Sequence, residues 1–261
     1  MIEKLRNRPE IILVPLVFVF VIWLWETLIN VLEVKETILP TPSRIGEALL
    51  AQFQNPFFWS NFWVTTQEAI YGFLAATIFA IIVGTFVSQI KIVEKTVMPY
   101  LVGFQAIPKV ALAPIFIIWF GFGQTSKVVM AATIAFFPIL INIIEGLKSA
   151  DADRIRMLRV FGASRYQIFR KVQVPSAMPF FFAGLDVGIL LAILGAVVAE
   201  FLGSQEGLGN MVLVSQYNFE TPTMFAVLIV LSLMGILAHI IVRIFQKRIA
   251  FWADNSHIVG T

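Results

Sequence analysis

Residues 223–245 read TMFAVLIVLSLMGILAHIIVRIF, and no Asp, Glu, Lys or Arg occurs before Arg243. An α-helix rises about 1.5 Å per residue, so about 20 such residues cross the roughly 30 Å of bilayer hydrocarbon. The stretch therefore predicts a membrane-spanning helix. Long apolar runs with at most two charged residues recur upstream at 11–32, 61–89, 97–120, 127–146 and 179–202. The fold class that follows is an all-α integral membrane protein with six transmembrane helices. Composition agrees: of 261 residues 59% are hydrophobic and only 13% charged, against about 45–50% and about 25% in soluble domains. Mean hydropathy is +0.87. A water-soluble enzyme and a disordered chain are excluded, and with no cysteine there is no disulfide framework, thiolate metal site or cysteine nucleophile.

The first apolar run follows a basic leader, Lys4, Arg6 and Arg8, but is too long for a signal-peptide core and lacks a small-residue cleavage site. It reads as a first span. Residues 33–60 are polar and broken by Pro40, Pro42 and Pro56, which suits a loop with a short surface helix. The third apolar region is interrupted by Pro99, Pro108 and Pro114 ahead of Gly121-Phe122-Gly123. Proline removes a backbone donor, so part of 107–120 is a candidate re-entrant segment. The 19 Lys and Arg sort by side. Fifteen fall in the N-terminus, the second and fourth loops and the C-terminal segment; Lys35, Arg44 and Lys127 fall opposite, and Lys109 lies in the broken region. The positive-inside rule then puts both termini in the cytoplasm, which requires an even number of spans.

The one long polar stretch on the inner side, 149–179, reads SADADRIRMLRVFGASRYQIFRKVQVPSAMP. Ile155, Leu158, Val160 and Phe161 make a short amphipathic helix with Asp151 and Asp153 at its positive end. Gly162 is expected to close it in the left-handed conformation. Ser164 and Gln167 form a capping box for a second helix carrying Ile168, Phe169 and Val172, which Pro175 is expected to terminate. Such a basic helix pair either rests on anionic lipid or docks a soluble partner.

Gly162-Ala163-Ser164, with nine residues intervening between Gly162 and Val172, one more residue and then Val174-Pro175, resemble the loop signature of binding-protein-dependent ABC importer permeases. That signature is Glu-Ala-Ala, three residues, Gly, nine residues, Ile, one residue, Leu-Pro. Here Arg156, Met157 and Leu158 stand at the Glu-Ala-Ala positions. The run AIPKVALAPIFIIWFGFG (106–123), Phe136-Phe137-Pro138, and Ala199-Glu200-Phe201-Leu202 followed by Gly207-Leu208-Gly209 are similar to the nitrate, alkanesulfonate and taurine branch. The resemblance spans about residues 65–252. It implies a type I ABC importer permease fold, a homodimer, two ABC ATP-binding subunits, an extracytoplasmic solute-binding protein and a bacterial inner membrane. It also implies an ATPase-coupling loop of Asp153, Arg156, Leu158, Arg159, Phe161, Gly162, Ala163, Ser164, Phe169 and Pro175. The organisation expected is an N-terminal span and extracytoplasmic loop (1–60), a permease core (61–250) with its coupling loop at about 149–175, and a cytoplasmic tail (251–261). No Walker-type Gly-x-x-x-x-Gly-Lys-Ser/Thr occurs in the chain, so it carries no ATP site and is not itself an enzyme; ATP and Mg belong to the partner subunits.

Ionisable residues inside spans are functional candidates. Asp186 and Glu200 project about 40° apart on one helix face, roughly 21 Å along the axis, while Gly184, Gly188, Ala192, Gly195 and Ala199 fall opposite. The small-residue stripe suits tight packing on a neighbouring span. The acid face borders the solute pathway or a dimer contact, or each acid pairs locally with Lys or Arg. Lys109 beside Pro108 offers positive charge to an anion or snorkels to the surface. Glu68 and Glu145 are expected at the interface, Gly207 and Gly209 in an outer turn near the gate, and His239 either in a proton relay or bonded to a helix carbonyl. A small organic or inorganic anion is the expected solute, with a pyrimidine precursor or aromatic compound as the alternative. The competing classes are a secondary transporter or channel, for which no internal repeat stands out, and a membrane enzyme, for which no catalytic dyad does.

Overall fold

The structure is a computed structural model and describes residues 10–252. The basic leader of Lys4, Arg6 and Arg8, and all but the first two residues of the tail, lie outside the described residues. Among the described residues every regular element is helical: α1 (Glu10–Val31), α2 (Pro42–Phe53), α3 (Pro56–Gln89), α4 (Lys91–Ala106), a 3₁₀ turn (Lys109–Leu112), α5 (Ala113–Phe120), α6 (Gln124–Lys148), α7 (Ala152–Val160), α8 (Arg165–Ile168), a π segment (Phe169–Gln173), α9 (Val174–Gly203), α10 (Leu208–Tyr217) and α11 (Thr221–Ile249). Five helical stretches are long and apolar enough to cross a membrane, and the bent pair formed by α4 and 109–120 makes six if counted as one span.

That bend, 83°, falls where Pro108 interrupts the helix. Ile107 must be extended because the following proline ring clashes with a helical residue before it, and it has φ −67° and ψ 130°. The broken third region is therefore two helices at an angle.

The chain divides into two compact units. One comprises Met1–Asn61 and Met211–Leu231. In its described part Thr41 caps α2, and the Glu26 carboxylate accepts hydrogen bonds from the Ser43 N–H (3.0 Å) and hydroxyl (2.7 Å). The surface helix foreseen in the 33–60 loop is thus fastened to α1. Trp25 of α1 meets Phe225 of α11 edge-on, and the Thr221 hydroxyl donates to the Thr37 carbonyl at 2.8 Å.

The second unit comprises Phe62–Asn210 and Ser232–Thr261. Its centre is α6, with Met130, Ile139, Leu140 and Ile144 fully buried. Lipid tails are as apolar as leucine, so close packing rather than water exclusion must hold such helices together. Small residues supply it. A Cβ on Gly188 of α9 would lie 2.6 Å from Ile139, and one on Gly195 would lie 2.8 Å from Ala131. From another side, a Cβ on Gly84 of α3 would lie 2.7 Å from Ile143. The glycine face of α9 is therefore pressed onto α6, and α3 onto α6 as well.

Candidate functional site

Three polar features stand out in the second unit. The first is the loop between α6 and α9. Asp151 caps α7 by accepting from the Asp153 N–H at 2.8 Å, and Arg156 pairs with Asp153 at 3.4 Å. Gly162 has φ +76°; Gly162 N–H bonds Arg159 O and Ala163 N–H bonds Leu158 O, a Schellman close that a left-handed glycine permits. Immediately after it, the Ser164 N–H donates to Gln167 Oε1 (2.7 Å) while Gln167 N–H donates to the Ser164 hydroxyl (3.3 Å). Caps on both sides leave almost no free dihedral in the elbow. Ile168 is buried, Leu158, Ala163 and Phe169 are half-buried, and Met157, Val160, Phe161 and Tyr166 stand exposed, Phe161 at 80%.

The expected stop at Pro175 is corrected. Arg165–Gly203 runs as one 39-residue helix. Proline's missing N–H is tolerated because the preceding turn is a π segment, with Val174 N–H bonded to Phe169 O, so Pro175 falls at the start of α9. The Trp252 indole N–H donates to the Pro175 carbonyl at 3.2 Å.

The second feature is built around Glu200, 1% exposed near the end of α9. Its carboxylate accepts from the Thr65 hydroxyl (2.6 Å) and the Gly209 N–H (2.5 Å), and Thr65 Oγ1 in turn accepts the Leu208 N–H (2.8 Å). Gly207 has φ +102°, and a Cβ there would collide with the carboxylate; one on Gly209 would lie 2.7 Å from Glu200 Oε2. The two glycines are therefore the condition for the turn to close on the acid. Glu68 is also buried here, at 1% exposure. Lys127, expected in an outer loop, is 3% exposed, with its ammonium on the carbonyls of Phe122 and Gly123. A cavity of about 690 Å³ opens beside this cluster, bordered by Gln67, Glu68, Gln124, Lys127, Ser204 and Glu206.

The third feature was not foreseen. Asp186 Oδ1 and His239 Nδ1 lie 2.5 Å apart, joining α9 to α11. His239 bonds a carboxylate and not a helix carbonyl, and among the described residues neither Asp186 nor Glu200 pairs with Lys or Arg. The two span acids thus serve different partners at different depths. A signal existed: Asp186 is 12 residues from the start of α9 and His239 is 10 from the end of α11, matching depths for antiparallel spans. Lys109 donates to Gln105 O (3.1 Å) and lies 4.9 Å from the Phe137 ring centre, which ties it to the broken helix. Thr65, Glu68 and Lys127 were missed as site residues; the i, i+3 pairing of Thr65 with Glu68 in an apolar run was the available sign.

Apolar helices of membrane-spanning length, with a capped loop between two of them and polar clusters along one, are the features of an integral membrane protein with a cytoplasm- or exterior-facing docking loop. The sequence matches, over residues 76–251, the family described as binding-protein-dependent transport system inner membrane component. It is 34% identical to the riboflavin transport system permease protein RibX of Chloroflexus aurantiacus, over 91% of this chain and 89% of that protein. It is 32% identical to the formylaminopyrimidine transport permease protein ThiX of Halalkalibacterium halodurans, over 92% and 96%. A putative aliphatic sulfonates transport permease protein, SsuC of Bacillus subtilis, is 30% identical over 90% and 85%. Among solved structures, the inward-facing MetNI methionine ABC transporter superposes with a TM-score of 0.64 at 19% identity, covering 71% of this chain and 93% of that one. The chain belongs to the binding-protein-dependent transport system inner membrane component family, and is a transmembrane permease subunit of an ABC importer with the type I fold.

Proposed function

We propose that two copies of this chain form the solute pathway of an importer in a bacterial inner membrane, with two ATP-binding subunits on the cytoplasmic side and a solute-binding protein outside. ATP and Mg are bound by the partner subunits. The single observation that carries this reading is the loop of α7, Gly162 and α8: an apolar tip of Met157, Val160, Phe161 and Tyr166 on an elbow capped from both sides and continuous with α9. Closure of an ATPase dimer against that tip moves a span directly. The turn at Gly207 and Gly209, closed on Glu200, belongs to the outer end of the same helix and is the candidate gate. The solute is small and organic. The sulfonate relative's name supports an anion; the riboflavin and formylaminopyrimidine names support a nitrogen heterocycle, which the Asp186–His239 pair favours.

The test is to purify the chain with ATP-binding and solute-binding proteins encoded beside it and to measure ATP hydrolysis. A stable complex stimulated by the loaded binding protein is expected, with stimulation lost on Gly162→Pro while the complex still assembles. Solute flux from the chain alone, without any ATPase bound, would overturn the reading in favour of a secondary carrier or channel.

A further inference from the structure

Asp186 lies about 18 Å along α9 from Val174 and about 26 Å from Gly203, far from both ends of its span. Its side chain is 32% exposed and that of His239 35%, so the pair is open on one side. Behind it the wall is apolar: Phe182, Ile189 and Val242 are buried together, with Phe181 and Leu185 against them. One turn farther along, a Cβ on Gly235 of α11 would lie 3.5 Å from Leu190 of α9, so the two helices touch there. The opposite face of α9, with Gly188 and Gly195, is sealed on α6. The open side is therefore the flank carrying Val187 and Leu190, which are 47% and 42% exposed.

An ionisable pair open to acyl chains at this depth is costly, whereas one facing a water-filled cavity is not, and such residues mark solute and ion routes. The chemistry narrows the solute. With its hydrogen on Nδ1 toward the carboxylate, a neutral imidazole presents Nε2 as an acceptor beside the second carboxylate oxygen. Two neighbouring acceptors suit a molecule presenting N–H donors; a bare anion meets like charge. The lysines that interrupt apolar helices do not offset this, since Lys109 is held by Gln105 O and Lys127 by Phe122 and Gly123 carbonyls. We infer that Asp186 and His239 form a solute-contact site in the membrane pathway that accepts hydrogen bonds from an N–H-bearing solute, such as an amino-substituted nitrogen heterocycle. This rests on the chain acting as an importer permease, as proposed above.

The chain has no cysteine, so a single Val187→Cys reports the flank without background. In the full transporter in proteoliposomes, its labelling is compared for cationic 2-aminoethyl and anionic 2-sulfonatoethyl methanethiosulfonate, each normalised to its rate with a free thiol. The cationic reagent is expected to react about tenfold faster, the size of effect a nearby partly screened unit charge produces, and Asp186→Asn should bring the ratio near one. No labelling by either reagent, while Phe219→Cys in the exposed turn before α11 is labelled, would mean that lipid or a second copy covers this face and would overturn the site. Equal rates in the unmodified Asp186 background would overturn the charge preference. In uptake assays Asp186→Asn and His239→Gln should each lower import of formylaminopyrimidine at least about tenfold more than import of methanesulfonate; the reverse order would overturn the solute class. Failure to recruit any ATPase sinks the importer reading alone, since the labelling ratio is read regardless of ATP hydrolysis.

Discussion

Glu200 shows how much one side chain can organise. Its two oxygens take a hydroxyl from α3 and an amide from α10, and the Thr65 hydroxyl passes the arrangement on to the Leu208 amide. Thr65→Val keeps the shape but leaves the Leu208 N–H without a partner and removes a donor to the acid. A buried amide left unpaired costs about 1–3 kcal/mol. The thermal midpoint of the purified protein should therefore fall by several degrees, at about 2–4 °C per kcal/mol for a chain of this size. Gly209→Ala should act in the same direction, because its Cβ would press on Glu200 Oε2 and on the Val197 carbonyl, 2.8 Å away. An unchanged midpoint in both variants would show that the turn does not depend on the acid. Glu200, Gly207 and Gly209 were legible in the sequence as separate marks, an acid in an apolar span and two glycines after it. Their union was not, because Thr65 is 135 residues away and nothing local announces that distance.

The loop helices were legible because caps are local chemistry. The left-handed Gly162 and the Ser164–Gln167 box depend on residues at most five apart, and both are found as expected. Pro175 misled for a reason of the same scale: proline stops a regular α-helix, but a π turn in front of it removes the conflict, and a π turn has no composition of its own. The bend at Pro108 was half legible; the break could be read from the prolines, whereas its 83° angle depends on packing. Phe161 supplies the prediction at this level. It is exposed, so Phe161→Ala should change stability by no more than about 0.5 kcal/mol, yet it should markedly lower ATPase stimulation and binding of the ATP-binding subunit. Equal stimulation in the variant, measured on the reconstituted complex, would remove the aromatic tip from the docking surface.

Across the chain, the six apolar regions were readable because hydrocarbon thickness sets a length and a composition together. Sidedness rests on the distribution of Lys and Arg, and reporter fusions check it. Alkaline phosphatase joined after Gln205 should be active and joined after Trp252 inactive, and a fluorescent protein that folds only in the cytoplasm should give the opposite pattern. Swapped outcomes would invert the topology and move the capped loop away from any ATPase. The two connections of that loop are unlike. On one side α6 stops at Lys148, and three non-helical residues, 149–151, precede α7; on the other, α8 passes through the π segment into α9 without leaving the helical state. A short non-helical link bends more easily than a continuous helix. The loop is thus a crank with a non-helical link to α6 and a continuous helical one to α9, and whatever force reaches its tip is delivered to α9 first, carrying Asp186 and Glu200 together and reaching α6 through the glycine face packed on it.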